Sequence, residues 1–201
     1  MTKQTKPTYH HGDLRQSLLS GAAEIIRTEG SDALSMRKLA DKVGVSRTAP
    51  YHHFIDKHAL LCALGEEGFR QHLAVFSEAG SDQGVDLERD IRLYVSRYVD
   101  YATAHPEYYD LMFGREIWKS GEVTDSLKQC AGEAFRLYKE QMADWIIAAG
   151  HNDDIPPRVE QATWGALHGI SRLLIDGIYT DEEAKKEICD ACATMIINSL
   201  K

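Results

Sequence analysis

Long apolar stretches are missing from this 201-residue sequence. No run approaches the roughly 20 residues that a membrane-spanning helix requires, and the start MTKQTKPTYHHGD has no apolar secretory core. Cysteine is scarce as well. The four residues Cys62, Cys130, Cys189 and Cys192 fit a reducing compartment, in which thiols behave as small apolar side chains. We therefore expect a cytoplasmic protein with no membrane partner.

Strand patterns and sequence repeats are also absent. No segment alternates apolar and polar residues at the two-residue period of a strand, and we find no long-period repeat or low-complexity tract. Apolar residues recur instead at helical spacing. The sequence therefore predicts an all-α fold of about nine helices.

Signatures of catalysis and of metal binding are weak. Cys189 and Cys192 lie three residues apart, but no second close pair of cysteines or histidines completes a zinc site, so packing within a helix is the simpler interpretation. The segments 105–107 and 151–154 hold acid and base groups, yet each more simply marks a helix boundary, and no nucleophile motif or phosphate loop accompanies them. We expect no enzyme, no metal and no cofactor, and we leave a redox role for the two cysteines open.

Charge is unevenly distributed along the chain. Residues 1–60 carry nine Lys and Arg against six Asp and Glu, whereas residues 61–201 carry fourteen against twenty-five. An acidic body repels nucleic acid, so any attraction to phosphates must come from the amino-terminal part.

The most informative pattern lies in residues 35–54, SMRKLADKVGVSRTAPYHHF. Two short amphipathic segments flank Val43-Gly44-Val45, which is typical of a DNA-binding helix-turn-helix. Ser35 is positioned to cap the first helix, and Gly44 stands where the chain must turn. We expect Ser46 to cap a second, recognition helix that packs Ala49, His53 and Phe54 inward and presents Arg47, Thr48, Tyr51 and His52 to a major groove.

Pro50 is unusual in that second helix, because it removes the backbone donor that would bond to the Ser46 carbonyl. We expect the loss to be confined to one bond and the fixed φ to stiffen the helix.

Residues from about 10 to 60 resemble the N-terminal domain of the TetR family of transcriptional regulators. The likeness rests on EGSDALSMRKLA, the turn GVS, the ending APYHHF and the following Lys57, with Pro50 standing where an aliphatic residue is commoner. The residues that we single out for DNA contact, most of them through this resemblance, are Ser35, Arg37, Ser46, Arg47, Thr48, Ala49, Tyr51, His52 and Lys57.

Further segments resemble a carboxy-terminal domain class of the same family, with a Trp-x-x-x-His-Gly pattern at Trp164 and His168. YHHGDLR near the start and HPEYYDLMFG at 105–114 add to this likeness. The expected organisation is a flexible arm (1–11), a three-helix DNA-binding domain (12–60), and a helical domain for effector binding and dimerisation (61–201).

Helix boundaries in the two domains follow from local signals. We expect a capping box at Asp13 and Gln16, a cap at Asp56, a helix from about Thr124, another opening at Pro156-Pro157, and a last capping box at Thr180 and Glu183.

Aromatic residues crowd the first half of the second domain and suit a pocket for a small organic effector, although ordinary core is the alternative for each of them. The candidates for such a pocket are Tyr94, Tyr98, Tyr101, Tyr109, Met112, Phe113, Trp118, Tyr138, Trp164 and His168.

The resemblance implies a homodimer through the last two helices, with two recognition helices meeting successive major grooves of a near-palindromic double-stranded operator. The apolar faces that we assign to this interface are Leu167, Ile170, Leu174, Ile188, Ala191, Met195 and Ile196.

The sequence thus favours a ligand-responsive DNA-binding transcriptional regulator, a repressor that a small effector releases. Two other classes stay open: a helical ligand-binding module without DNA binding, and an all-helical enzyme. The operator, the regulated genes, the effector and the sign of regulation do not follow from the sequence.

Overall fold

The computed structural model describes residues 11–77, 86–119, 122–150 and 158–200. Within these ranges the chain forms nine α-helices and two short 3-10 segments, and no strand. The helices are α1 (His11–Glu29), α2 (Met36–Val43), α3 (Lys57–Ser77), α4 (Leu87–Ala104), α5 (Pro106–Phe113), α6 (Arg115–Trp118), α7 (Asp125–Ala148), α8 (Val159–Ile175) and α9 (Glu182–Ser199). The predicted all-α class is therefore confirmed.

The predicted helix count is matched only because two differences cancel. The recognition helix is a 3-10 segment (Ala49–His52), and the one-turn helix α6 has no counterpart in our prediction. A four-residue helix is too short to produce a hydrophobic period, so the sequence offered no signal for it.

The amino-terminal domain packs α1 across α2 and the start of α3. Leu18, Leu19 and Leu39 are fully buried between these helices, and Phe54 closes the core from the end of the recognition segment. The Arg15 guanidinium lies 5.4 Å from the centre of the Phe54 ring, which ties α1 to that end. The recognition segment is thus held on a rigid base.

Helix α3 connects the two parts of the molecule. Its first half contributes Leu60, Leu61 and Leu64 to the amino-terminal core, and it also packs against α4, α5 and α7. A second apolar core joins α4, α8 and α9 through residues such as Ile91, Leu167 and Ile196. A displacement of α3 therefore affects both domains.

Several predicted helix caps are confirmed. The Asp56 carboxylate accepts a hydrogen bond from the Ala59 amide at 2.8 Å, and the Thr124 hydroxyl accepts one from the Leu127 amide at 3.2 Å. Helix α1 ends at Glu29, since Gly30 follows it at φ 87°.

Two capping predictions were wrong. The last helix is capped by Asp181, whose carboxylate accepts from the Ala184 amide at 2.7 Å, and not by Thr180. A carboxylate at that position is the stronger acceptor for a helix amino terminus. Helix α1 already includes His11, so Asp13 lies inside it instead of capping it.

Other predictions fall wholly or partly outside the described residues. Residues 1–10 of the predicted arm are among these, as are Pro156 and Pro157. Helix α8 is described from Val159, after Arg158 in the left-handed region at φ 68°. Among the described residues, no helix has the length and apolar character needed to cross a membrane.

Candidate DNA-binding surface and effector site

The first helix and the turn of the predicted motif have the expected geometry. The Ser35 hydroxyl accepts a hydrogen bond from the Lys38 amide at 3.2 Å, and Met36, Leu39 and Ala40 face the core. Gly44 adopts the left-handed conformation at φ 76° and ψ 33°, and its amide bonds to the Ala40 carbonyl. Glycine avoids the Cβ strain of that conformation, so the chain can reverse directly after α2.

The recognition segment, residues 46–53, is not the α-helix that we predicted. The Ala49 and Tyr51 amides bond to the carbonyls three residues earlier, of Ser46 and Thr48, which is the 3-10 pattern. Pro50 has no amide to offer the Ser46 carbonyl, so the proline affects the whole segment and not one bond.

Two side-chain predictions within the recognition segment were also wrong. The Ser46 hydroxyl lies 3.1 Å from the Thr48 hydroxyl instead of capping a helix. Pro50 is buried with Phe54, whereas Ala49 and His53 are only half-buried. The ring of the proline therefore takes the inward position that we had given to Ala49.

The four residues predicted to face outward from the recognition segment are exposed in the structure. Arg47, Thr48, Tyr51 and His52 are exposed, with Tyr51 at 55% of its full accessible area. No ion pair involves Arg47 within the part of the chain that the structure describes. A free guanidinium beside a hydroxyl, a phenol and an imidazole forms a surface of hydrogen-bond donors suited to phosphates and guanine edges.

Other cations of this domain are already paired. Lys38 lies 2.5 Å from Glu29 and Lys42 lies 2.9 Å from Glu24, so both bind α2 to α1. Arg37 makes only a loose exposed pair with Asp41 at 4.0 Å. Half-buried Lys57 donates to the Ser31 carbonyl at 2.9 Å, which fixes its direction and leaves further donor protons.

The aromatic candidates divide into those that line one cavity and those that do not. Tyr94, Tyr98, Phe113, Tyr138 and Trp164 surround it. Tyr109 and His168 lie beside it in a hydrogen-bonded chain, because the Tyr109 hydroxyl is 3.2 Å from that of Tyr98 and 2.9 Å from His168 Nδ1. We name these seven residues, together with Phe69, His72, Phe76 and Phe135, the aromatic cluster.

Three candidates lie elsewhere. The Tyr101 hydroxyl donates to the Gly68 carbonyl at 2.7 Å, and the Trp118 indole donates to the Met112 carbonyl at 2.7 Å. Met112 packs on Gly68, where an added Cβ would lie 2.9 Å from its side chain. These three side chains belong to the core around α3 and α5.

The cavity within the aromatic cluster is small. Its volume is about 10 Å³, at the lower limit for one water molecule. Burial raises the pKa of Tyr98 well above its ordinary value and that of Tyr109 to about 12, so both phenols are neutral. The cavity is thus closed to an organic ligand in this structure.

A larger groove of about 480 Å³ runs along α4 and α9. Four of its charged groups are paired with one another: Lys185 lies 2.7 Å from Asp100, and Arg92 lies 3.3 Å from Asp190. No aromatic side chain lines it. We therefore prefer the small aromatic cavity as the effector site despite its size, since apolar walls with few polar groups favour an organic ligand.

Comparison with known protein families settles what kind of chain carries these features. Residues 18–64 match the family described as bacterial regulatory proteins, tetR family, and residues 91–198 match the tetracyclin repressor-like C-terminal domain. The chain belongs to the TetR family.

Curated relatives and a solved structure agree with this assignment. The transcriptional repressor AcnR of Corynebacterium efficiens is 36% identical over 180 residues, which is 80% of this chain and 88% of that protein. AcnR of Corynebacterium diphtheriae is 29% identical over 168 residues, 81% of this chain and 77% of that protein. A protein of unknown function from Rhodococcus sp. RHA1 superimposes with a TM-score of 0.78 at 29% identity, covering 95% of this chain and 97% of its own.

This TetR-family chain has site residues that the sequence reasoning missed. Phe69, His72 and Phe76 lie on one face of α3, and Phe135 lies on α7. The spacing of three and four residues along α3 could have revealed the first three, but a shared helical face does not say which partners it meets. The long-range packing of α3 on α4, α5 and α7 decides that.

Two predictions about the last helices need correction. Leu167 and Ile196 are fully buried in the second core, so they do not belong to an outer apolar face. In contrast, Met195 is 49% exposed and Ala191 is exposed. Helices α8 and α9 each have one apolar face in the second core and further apolar residues on the surface. The sequence pattern did not distinguish these two sets of residues.

The Cys189 and Cys192 thiols are free, and both lie on α9. Burial raises the pKa of each to about 11, which disfavours the thiolate needed for redox chemistry or metal binding. In the described part of the chain, no three His, Cys, Asp or Glu residues gather as a metal site would require.

Proposed function

We propose that this TetR-family chain is a repressor that binds a near-palindromic operator as a homodimer and that a small organic effector releases. The observation that carries the proposal is the exposed, unpaired Arg47 beside Thr48, Tyr51 and His52 on a segment fixed between α2 and α3. Arginine is the commonest reader of guanine edges, and its neighbours are suited to phosphates. Ser35, Arg37, Ser46, Ala49 and Lys57 complete the proposed contact surface.

The proposed dimer uses the outer faces of α8 and α9. Gly165 and Gly169 are one turn apart on α8, and an added Cβ at either would meet nothing within 4 Å. Leu173 and Met195 are large apolar side chains exposed by 38% and 49%. Small residues let a second helix approach closely, and exposed apolar ones gain by burial against it.

Helix α3 supports a coupling between the two sites. It begins at Lys57, just after the recognition segment, and its last two turns carry His72 and Phe76 of the aromatic cluster. A ligand too large for the cavity, even after its rim side chains rotate, would displace α3 relative to α7. The resulting shift would change the spacing of the two recognition segments, so effector and operator would weaken each other's binding reciprocally.

We propose no catalytic role, since the family and the curated relatives are transcriptional regulators. A regulator of transcription acts on chromosomal DNA, and this role places the protein in the cytoplasm.

Gel retardation of promoter fragments adjoining its own gene tests the DNA-binding part. We expect Arg47→Ala and Tyr51→Ala each to weaken retardation by about tenfold or more, as lost base or phosphate contacts do. Arg89→Ala is the matched control, because it removes an exposed arginine from α4. Equal retardation by Arg47→Ala and wild type, or none by wild type at low salt, would refute the proposal.

A further inference from the structure

The aromatic cluster contains one polar side chain with unsatisfied hydrogen-bonding groups. His72 is 6% exposed, and neither of its ring nitrogens has a hydrogen-bond partner among the residues that the structure describes. Its ring lies edge-on to Phe76, Tyr98 and Tyr101, with centroids 5.0, 4.9 and 5.2 Å away. An unsatisfied buried polar group destabilises a fold, so its presence in a cavity wall needs an explanation.

Two hydroxyls of the cavity wall are already bonded. The Tyr98 hydroxyl bonds to Tyr109, and the Tyr138 hydroxyl lies 2.7 Å from the Thr163 hydroxyl. No residue that lines the cavity carries a formal charge, apart from what His72 would acquire on protonation. A ligand would therefore find aromatic faces, the Tyr94 hydroxyl at the rim and, at the buried His72, one free acceptor and one free donor.

The rim of the cluster offers a way in. Tyr94, Phe113, Phe135 and Trp164 line the cavity but are only half-buried, in contrast to Tyr98 and Tyr138. Rotation of such rim side chains enlarges a cavity without unfolding the helices around it.

We propose that the effector of this regulator is a neutral, planar aromatic molecule that lies within the aromatic cluster and forms a hydrogen bond to His72 through a single polar group. The inference rests on the proposed function and specifies the ligand class of that site. The rings of the cluster supply stacking surface, and His72 sets the orientation of the ligand.

An anionic effector is disfavoured. A carboxylate or sulfonate would lose its hydration in a wall without a fixed positive charge, and burial lowers the pKa of His72 to about 4, so the imidazole resists becoming the counter-ion. A neutral donor or acceptor meets no such cost.

Two fluorescent probes with the same ring system test, on the full-length protein, whether the site prefers a neutral ligand to an anionic one. N-phenylnaphthylamine is neutral with one N–H donor, and anilinonaphthalene sulfonate adds a negative charge to the same rings. We expect saturable binding of the neutral probe and binding of the sulfonated one at least about tenfold weaker. Equal affinity for the two, or no saturable binding of the neutral probe, would overturn the proposal.

Substitutions of His72 test the hydrogen bond. His72→Leu should weaken the neutral probe about tenfold, whereas His72→Gln, which keeps a donor and an acceptor, should stay within about threefold of wild type. The matched control is His58→Leu on the same helix, outside the cavity, where the Nε2 atom is 3.0 Å from the Glu122 carbonyl. It should leave probe affinity unchanged.

Thermal unfolding without probe separates a ligand-binding role from a structural one. His72→Leu should raise the Tm by about 2–4 °C, because it removes an unsatisfied polar group, whereas His58→Leu should lower it. A fall in Tm for His72→Leu together with unchanged probe affinity would assign His72 to the core and refute the inference. Gel retardation of operator DNA by the same wild-type preparation distinguishes the two proposals. If the protein binds DNA but not the neutral probe, the proposed ligand class is refuted and the proposed role as a DNA-binding regulator stands.

Discussion

At the scale of single residues, function in this chain depends on side chains that the fold leaves without partners. Lys38 and Lys42 are paired with glutamates of α1, whereas Arg47 is not paired among the described residues. In the body, the hydroxyls of Tyr98 and Tyr138 are bonded, whereas His72 is not. The lack of partners thus supports both proposals, Arg47 for operator contact and His72 for ligand contact.

A pH dependence follows from the burial of His72. Its pKa is lowered from 6.5 to about 4, so between these values the unfolded chain binds a proton that the folded chain does not. The free energy of unfolding should therefore fall as the pH drops through this window, by about 2–3 kcal/mol at about pH 4.5. Urea unfolding at about pH 7.5 and about pH 4.5 measures it.

His72→Leu provides the comparison, since it lacks the titrating group. Between the two pH values its free energy of unfolding should fall by about 2–3 kcal/mol less than that of wild type. Carboxylates titrate alike in both proteins and cancel. An equal loss in wild type and variant would show that His72 does not resist protonation.

Residue-level prediction from sequence succeeded where the chemistry is local. Ser35, Gly44 and Asp56 were assigned their roles from type and position alone, because a cap or a left-handed turn involves only neighbouring backbone. His72 could not be found in this way. Its lack of partners results from the packing of α3, α4 and α7 around it, which no local pattern contains.

At the scale of elements, the recognition segment is where sequence and structure differ most. Helix α2 has the predicted position, because an amphipathic period and a clear cap define it. The recognition segment has the predicted place and exposed residues, but a 3-10 backbone. The missing amide of Pro50 was recognised from sequence, and its effect was underestimated because the 3-10 turn that contains it, Ala49–His52, is only four residues long.

Pro50→Ala tests whether that backbone matters. Restoring the amide allows an α-helical bond to the Ser46 carbonyl, which would rotate Arg47 and Thr48 relative to the domain. We expect operator affinity to fall severalfold while the domain stays folded, measured by gel retardation and circular dichroism. Pro106→Ala, at the first position of α5, is the control and should leave affinity unchanged. Unchanged affinity and base preference for Pro50→Ala would remove any special role for the proline.

At the scale of the whole molecule, α3 connects the two parts of the chain, and α8 and α9 form the proposed dimer face. The sequence predicted the all-α class, which is confirmed, because helical periods are contained in short segments. It did not predict which residues of α8 and α9 face outward, because Leu167 and Met195 look alike as pattern positions and differ only in what packs on them.

Gly169→Arg tests the proposed dimer. A large charged side chain on the outer face of α8 should prevent a second copy from approaching, and its Cβ would meet nothing within 4 Å in its own chain. We expect a folded monomer by analytical ultracentrifugation, with operator affinity reduced by at least about tenfold because two half-sites are no longer bound together. The control is Gly132→Arg, at an exposed position of α7 where an added Cβ also meets nothing within 4 Å. This variant should remain dimeric. A dimeric Gly169→Arg protein would exclude this face.

The most direct test of the central claim is selection of bound fragments from genomic DNA by the purified protein, followed by footprinting of the enriched sites. The account predicts a protected, near-palindromic sequence whose half-sites are centred roughly 34 Å, or about 10 base pairs, apart or a multiple of this. Binding should weaken steeply with salt, because the acidic body leaves phosphate attraction to the amino-terminal domain alone. A strictly monomeric protein that enriches no fragment at low ionic strength would contradict it.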